Sequence, residues 1–366
     1  MIRISIIIPF HSNKQYLLTC LSLIKQYKTK DVEIIVVQNN ERSDCLVRLD
    51  HDPQIESVYF YKSLGYSLAC NIGAARARGE YLCFCDADTI PITPRWWDTH
   101  IAELNCEPKI GIASSLLLDE RTNHVQDFGI GWSGYNHFHP CFGAQLGDPR
   151  LLRSRRVQMA CSAQMTIRRD IFAQLNGFDE TLKFHYQDVD LCLRLKSLGL
   201  DTVAVAEAQA YHRGHSAQVN KSPFQIDERG YYTAKHRDTL VTDIGTYIRE
   251  SIVQLAAGVT LQPIYDLVDF STIYDSRPII ESLAPDIRVR PLLARAMPKR
   301  DPWHLNLFDV LGRDLAKRPE PFLLLVDSIS ALRLNGLWFS LRGNAHDIAV
   351  DRHGNAAFVA SLRDHP

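Results

Sequence analysis

The stretch Glu80–Pro91, EYLCFCDADTIP, decides how the chain is read. Tyr81 to Cys85 is an apolar run bounded by Gly79 before it and carboxylates after it. That length suits a strand of a parallel sheet covered on both faces. Asp86 and Asp88 then fall at the strand's carboxyl end, where open α/β sheets hold their ligands. With only Ala87 between them, the two carboxylates repel each other unless something positive sits there. A divalent cation is the natural partner, because hard cations take carboxylate oxygens and share them with phosphates. Asp is also a common turn residue, so the bare Asp-x-Asp pattern fits a polar turn as well. The surrounding chain has to separate the two.

Upstream, the pattern predicts strands over Ile2–Ile8, stopped by Pro9, over Asp31–Val37 and over Ile55–Tyr61. Between them it predicts a helix carrying Tyr16, Leu17, Leu21 and Ile24, and a short polar helix over Arg42–Leu49. A small-residue helix over Ser67–Arg78 is closed by Gly79. This β-α-β-α-β-α-β order implies a parallel, right-handed, doubly wound sheet. PFHSNK follows the first strand in place of a glycine-rich turn, and no GxxxxGK[ST] occurs, so neither a dinucleotide fingerprint nor a P-loop is present.

Downstream, a helix is expected from Pro94 to about Asn105 and a strand over Ile110–Leu118. Asn123–Arg150, rich in Gly, His, Pro and aromatics, reads as an irregular insertion of the kind that lines a site. A strand over Val157–Ile167, a helix over Gln187–Leu198 and a last strand over Thr202–Ala206 follow. From about Gly245 the segments SIVQLAAG, PIYDLVDF and PFLLLVDSISALRL read as amphipathic helices broken by prolines. The expected division is therefore a domain over 1–244 and a mainly helical region over 245–366.

The 366 residues are 46% hydrophobic and 23% charged, as in soluble globular proteins, and the formal net charge of −1 argues against a nucleic-acid partner bound through bulk charge. Nine cysteines with no CxxC pair read as buried small hydrophobes in a reducing compartment. The apolar N-terminus is too short for a signal peptide or a membrane span, so a cytoplasmic location is expected, with contact to the inner face of the membrane left open.

A strand ending SIIIPF, a second ending VVQNN, the DAD after the fourth strand, and GFDE followed by QDVDLCLRL and YHRGHS occur in one order. In that combination, residues 1–240 resemble the family 2 glycosyltransferases. The resemblance implies a GT-A fold, a Rossmann-like mostly parallel sheet with helices on both faces. It also implies inverting transfer of a sugar from a nucleotide sugar to an acceptor hydroxyl, with Mn²⁺ or Mg²⁺ as cofactor. The setting would be polysaccharide, lipopolysaccharide or other glycoconjugate biosynthesis.

Residue by residue, the resemblance gives the cation to Asp86, Asp88 and His212, and the donor's ribose or sugar side to Asp86. It makes Asp188 the general base, since the family's Glu-Asp pair here reads Gln187-Asp188. The plainer reading of Asp188 is an acidic residue favoured at a helix N-terminus. Pro9, Phe10 and His11 match the nucleotide end of the first strand, and Gln38 stands where the family usually has an Asp that pairs with uracil. A UDP-sugar is the expected donor, with Gln38 the departure from that pattern. Asn71, Gly73 and Arg78 match the helix leading toward the diphosphate, and Asp179 of GFDE a donor-sugar contact. Trp96 and Gln187 are candidates for the acceptor, a glycan or a lipid-linked sugar. Residues 245–366 are open to holding the acceptor, forming a homo-oligomer or resting on a membrane. The competing readings are a nucleotidyltransferase, which generally carries a glycine- and arginine-rich loop in place of PFHSNK, and a catalytically silent binding module, which Gln38 and Gln187 favour.

Overall fold

The computed structural model describes residues 1–40, 46–214, 222–257, 259–271, 276–283, 287–293, 311 and 314–362. They form two compact units, residues 1–130 with 142–240, and residues 131–141 with 241–366.

The first unit opens with β1 (Ile4–Phe10), α1 (Lys14–Tyr27), β2 (Val32–Asn39), β3 (Ile55–Phe60), α2 (Tyr66–Arg76) and β4 (Tyr81–Cys85). There follow β5 (Thr89–Pro91), α3 (Trp96–Cys106), β6 (Ile110–Leu118) and β7 (Val125–Asp127). The chain then forms β8 (Gly131–Trp132) and β9 (His137–Phe138) in the second unit. It returns as β10 (Arg155–Val157), β11 (Gln164–Arg168), α4 (Arg169–Gln174), α5 (Gln187–Ser197), β12 (Asp201–His212) and α6 (Ser222–Lys235). The helix expected over 42–49 falls partly outside the described residues, and 46–49 are not helical.

Among the described residues the sheet has the order β10-β12-β6-β11-β4-β1-β2-β3, with β5 added to β12 and β7 to β6. β1 to β4 run parallel, as do β6 and β12, while β11 is antiparallel between β4 and β6. The strand expected over 157–167 is therefore two: β10 pairs β12, β11 pairs β4 and β6, and residues 158–163 cross between them. A continuous apolar run carries no mark of where a chain leaves one neighbour for another.

β1 shows how the layers form. Ile6 and Ile8 join a core cluster with Leu17 and Ile24 of α1 and Trp97 of α3, while Ile7 faces the opposite layer against α2. Successive strand residues point to opposite faces, so an unbroken run of β-branched residues buries both. β1 continues through Pro9, which pairs with Val37; by then β4 has ended, at Ile7↔Phe84, and the missing N–H falls where only one neighbour remains.

The second unit corrects the expectation of a mainly helical region. Its strands β13 (Ile264–Asp269), β14 (Arg288–Leu293), β15 (Phe322–Leu325), β16 (Ile348–Val350) and β17 (Ala356–Phe358) form a sheet in the order β14-β13-β15-β16-β17, antiparallel only at β17. α7 (Ile244–Leu255) and α8 (Ser276–Leu283) share a core with it. IYDLVD and FLLL are short apolar runs, and periodicity alone does not tell a buried strand from a buried helix at that length. The β8–β9 hairpin is built into this unit: Phe138 lies in its core, edge-on to Tyr247, and the Trp132 N–H donates to Asp243 at 2.7 Å. Part of the expected irregular insertion thus packs with 241–366. No helix among the described residues is long and apolar enough to cross a membrane.

A Cβ on Gly73 of α2 would meet Ile7 Cγ2 at 2.4 Å, whereas one on Gly230 of α6 would meet nothing within 4 Å. Gly73→Ala is expected to cost about 1–3 kcal/mol by overpacking, and Gly230→Ala to stabilise by about 0.5–1 kcal/mol through helix propensity. Urea unfolding midpoints at unchanged slope check both.

Candidate active site

β4 delivers the DAD stretch to the carboxyl edge of the sheet. The Asp86 N–H donates to the Ala163 carbonyl at 2.8 Å, and the Thr89 N–H closes back on the Asp86 carbonyl at 3.0 Å. DADT is therefore a turn, and a turn that leads into β5. β5 pairs antiparallel with the end of β12, setting Thr89 opposite His212. That register brings His212 to the carboxylates: its Nε2 lies 3.7 Å from Asp86 Oδ2 and 3.6 Å from Asp88 Oδ1. One donor atom from each of the three residues fits within 4.8 Å of the others. Two carboxylate oxygens and an imidazole nitrogen converging at that spacing are a donor set suited to a divalent cation.

Asp188 stands in the first turn of α5, tied to the same edge by the crossing segment. The Ser162 N–H donates to its Oδ2 at 3.1 Å and the Val189 N–H to its Oδ1 at 2.9 Å. Burial pushes the Asp188 carboxyl up from its usual range; these N–H bonds pull against that, and the negative charge of Asp127 adds to it. The same segment serves both carboxylate groups, with Ser162 holding Asp188 and Ala163 holding Asp86. The Cys161 thiol, next to them, is pushed well up by burial and by the charges of Asp188, Asp127 and Asp86.

Asp190, two residues on, has the opposite surroundings. It is fully buried and bound by Arg194 at 2.8 Å and by Lys235 and His236 at 2.7 Å each. Burial pushes it up, but the His236 bond and the Arg194 and Lys235 charges outweigh that and hold it below the carboxylate range.

Several expected site residues are engaged elsewhere. Gln38 is buried in β2; its amide donates to the Val47 carbonyl at 2.7 Å and to Ser57 at 3.0 Å, and accepts from the Val47 N–H at 2.8 Å, so it anchors a loop instead of reading a base. Asn71 closes on the Gly177–Phe178 turn, accepting from Phe178 N and donating to its carbonyl, each at 2.9 Å. Gly73 is taken up by the α2–β1 contact. Arg78 lies at the wrong end of the sheet, paired at 2.6 Å with Glu33 near the start of β2, because α2 runs back against the strands and its end reaches their amino edge. Trp96 is buried edge-on against Trp97 in the core, where it has no acceptor to stack on. Asp179 is ion-paired with Lys235 at 2.6 Å and bonded by the Tyr231 hydroxyl at 2.8 Å. The Phe10 side chain is core, while Pro9 and His11 are partly exposed at the carboxyl end of β1. Gln187 is nearly buried at the start of α5, and its side-chain oxygen meets no donor among the described residues.

Other residues were not foreseen. Tyr66 opens α2 with its hydroxyl 3.4 Å from the Ser162 carbonyl, its acidity weakened by burial and by Asp86. The Arg213 N–H donates to the Asp88 carbonyl at 3.3 Å; its guanidinium pairs with Glu120 and lies 4.3 Å from the centre of the Tyr16 ring. Gln126 contacts the far nitrogen of His212 at 2.9 Å. A basic residue beside YH was visible in the sequence, but Tyr66 and Gln126 carry no local signal.

The mixed sheet with its ligand-bearing carboxyl edge is the GT-A fold: the crystal structure of GalNAc-T7 with UDP, GalNAc and Mn²⁺ superposes with a TM-score of 0.50 at 15% identity, over 65% of this chain and 51% of that one. Residues 5–140 match the family model for glycosyl transferase family 2. The O-antigen biosynthesis protein RfbC of Myxococcus xanthus is 29% identical over 220 residues, covering 57% of this chain. The uncharacterized protein y4gI of Sinorhizobium fredii (strain NBRC 101917 / NGR234) is 29% identical over 236 residues, covering 60% of it. The chain spans only 17% and 26% of the lengths of those two relatives.

The two aspartates of α5 contribute to stability in opposite ways. Asp190→Ala leaves Arg194, Lys235 and His236 without their shared carboxylate and is expected to cost about 3–5 kcal/mol in chemical unfolding. Asp188 has the reverse linkage. Its folded pKa is raised, so it favours the fold below the unfolded value and that stability is lost as pH rises through the folded value. Asp188→Asn should therefore melt at or above the unaltered protein near pH 8, with the gain vanishing toward pH 4.

Proposed function

We propose that this protein transfers a sugar from a nucleoside-diphosphate sugar to an acceptor hydroxyl, with inversion, in the assembly of a polysaccharide, lipopolysaccharide or other glycoconjugate. The observation that carries this reading is the Asp86–Asp88–His212 cluster and the Asp188 carboxylate on one sheet edge, tied together through Ser162 and Ala163. The family-model match over residues 5–140 supports the reaction class, and the O-antigen relative supports a glycan product.

Asp86, Asp88 and His212 would hold the cation, Mn²⁺ or Mg²⁺, which supplies charge neutralisation to a leaving diphosphate. Asp188 acts on the other partner. Its ionised oxygen takes the proton from the acceptor hydroxyl as that oxygen attacks the anomeric carbon and the bond to the diphosphate breaks on the opposite side. Burial and the neighbouring Asp127 raise the carboxylate's proton affinity, which suits a base. Among the described residues no Lys or Arg pairs with Asp188, so it keeps the affinity that Asp190 has lost. Pro9, His11 and Tyr66 lie where a nucleotide and its phosphates would pass. With Gln38 engaged by Val47, uridine recognition falls to other groups at the ends of β1 and β2. The second unit is proposed to serve the acceptor, a homo-oligomer or a peripheral membrane contact.

A panel of nucleotide sugars with Mn²⁺, read first by thermal shift and then by transfer to candidate acceptors, tests the reading. A donor should raise the melting temperature only with metal present, by mass action. Asp88→Ala should lose that shift. Asp188→Asn should keep it while losing on the order of 10²–10⁴-fold in transfer. The acid limb of kcat should lie above the ordinary carboxylate range, following the raised Asp188 pKa. Absence of any metal-dependent donor shift would overturn the assignment.

A further inference from the structure

The imidazole of His212 is held on its far side by Gln126. Gln126 places its side-chain oxygen 2.9 Å from His212 Nδ1, while Nε2 faces Asp86 and Asp88. An amide oxygen only accepts, so Nδ1 carries the proton of this contact, and in the neutral ring Nε2 has its lone pair toward the carboxylates. Two features of the chain serve this contact. In the β6–β7 pair Leu117 faces Asp127 and Leu118 faces Val125, so Gln126 is the extra residue of a β-bulge, a device that re-aims a side chain. On the other side, Gly214 has φ +55°, and a Cβ there would meet Gln126 Nε2 at 3.1 Å. Glycine at 214 therefore leaves the amide its room as well as adopting the left-handed backbone.

We propose that Gln126 is a positioning residue for the cation, and that by fixing the His212 tautomer it sets the preference of the site for Mn²⁺ over Mg²⁺. This rests on the reading of Asp86, Asp88 and His212 as the cation site. With the acceptor removed, the ring is free to carry its proton on Nε2. That nitrogen then donates to a carboxylate instead of ligating, and the site is reduced to its oxygens. An oxygen set suits Mg²⁺, whereas a neutral imidazole nitrogen suits Mn²⁺. Partners that orient a ligating histidine in this way are worth about 10–100-fold in metal affinity.

The test uses the full chain with Gln126→Leu, which removes the acceptor at similar size, Gln126→Met as a second apolar variant should the first fail to fold, and Gln126→Glu, which keeps an acceptor. Mn²⁺ affinity is read from the EPR signal of free Mn²⁺, Mg²⁺ affinity by competition, and the His212 tautomer from imidazole ¹⁵N shifts in metal-free protein, assigned by their loss in His212→Gln. The apolar variants are expected to bind Mn²⁺ about 10–100-fold more weakly, to change much less toward Mg²⁺, and to lose the Nδ1–H tautomer, while Gln126→Glu keeps both the tautomer and the metal ratio. If the unaltered chain binds Mn²⁺ and the apolar variants keep the same Mn²⁺/Mg²⁺ ratio and tautomer, Gln126 has no positioning role although the cation site stands. If the unaltered chain binds no Mn²⁺, or His212→Gln binds it equally well, the cation reading fails and this proposal with it.

Discussion

Like charges held close together at the end of a dry strand are the constraint around which the first unit is arranged. At about 4 Å and an effective dielectric near 20, two carboxylates oppose each other by roughly 4 kcal/mol. The backbone holds Asp86 and Asp88 at this edge through a tight turn closed from Thr89 to Asp86, the Ala163 carbonyl on the Asp86 N–H, and the antiparallel pairing of β5 with β12. Each of these bonds belongs to a strand or turn of the sheet edge, so relaxing the repulsion would disturb that edge. The arrangement favours positive charge at one point.

The two aspartates of α5 show how the fold assigns opposite work to identical side chains. Two helical residues apart is a rotation of about 200°, so Asp188 and Asp190 face opposite sides. Asp190 meets Arg194, Lys235 and His236 and becomes a permanent anion that locks α5 to α6. Asp188 is raised by burial and by the charge of Asp127, against backbone N–H bonds that pull it down, and its proton affinity rises. One carboxylate has lost its basicity to stability, and the other has kept it at stability's expense. α6 also contributes Glu228, whose carboxylate accepts the N–H groups of Lys183 and His185 at 2.9 and 2.8 Å and so steadies the approach to Asp188.

Much of the first unit was legible in the sequence. The parallel strands, α1, α2 and α5 follow from unbroken β-branched runs and from apolar residues at helical spacing, and the order of motifs pointed to the family. The surroundings of the expected nucleotide contacts were what position in the sequence did not show. Gln38, Asn71, Gly73 and Arg78 sit at the matching places in the sequence, yet each is consumed by a neighbour that only the folded chain supplies: a loop amide, a distant turn, an Ile methyl and a carboxylate at the far edge. The second unit was misread because short apolar runs between prolines look alike whether they become strands or helices.

The sequence by itself determined that two carboxylates would end a buried strand, since five apolar residues between Gly79 and Asp86 admit little else, and that another acidic pair would begin a helix near residue 188. Tertiary structure decided what those groups meet. His212 reaches the DAD turn through a strand register, Gln126 reaches His212 through a bulge and the space beside Gly214, and Asp188 keeps its basicity because the available cations lie on the other side of its helix. The physical reason is range. Hydrophobic periodicity acts over neighbouring residues and is written locally, whereas hydrogen bonds and charges act across ångströms of space between residues far apart in the chain, such as Asp86 and His212.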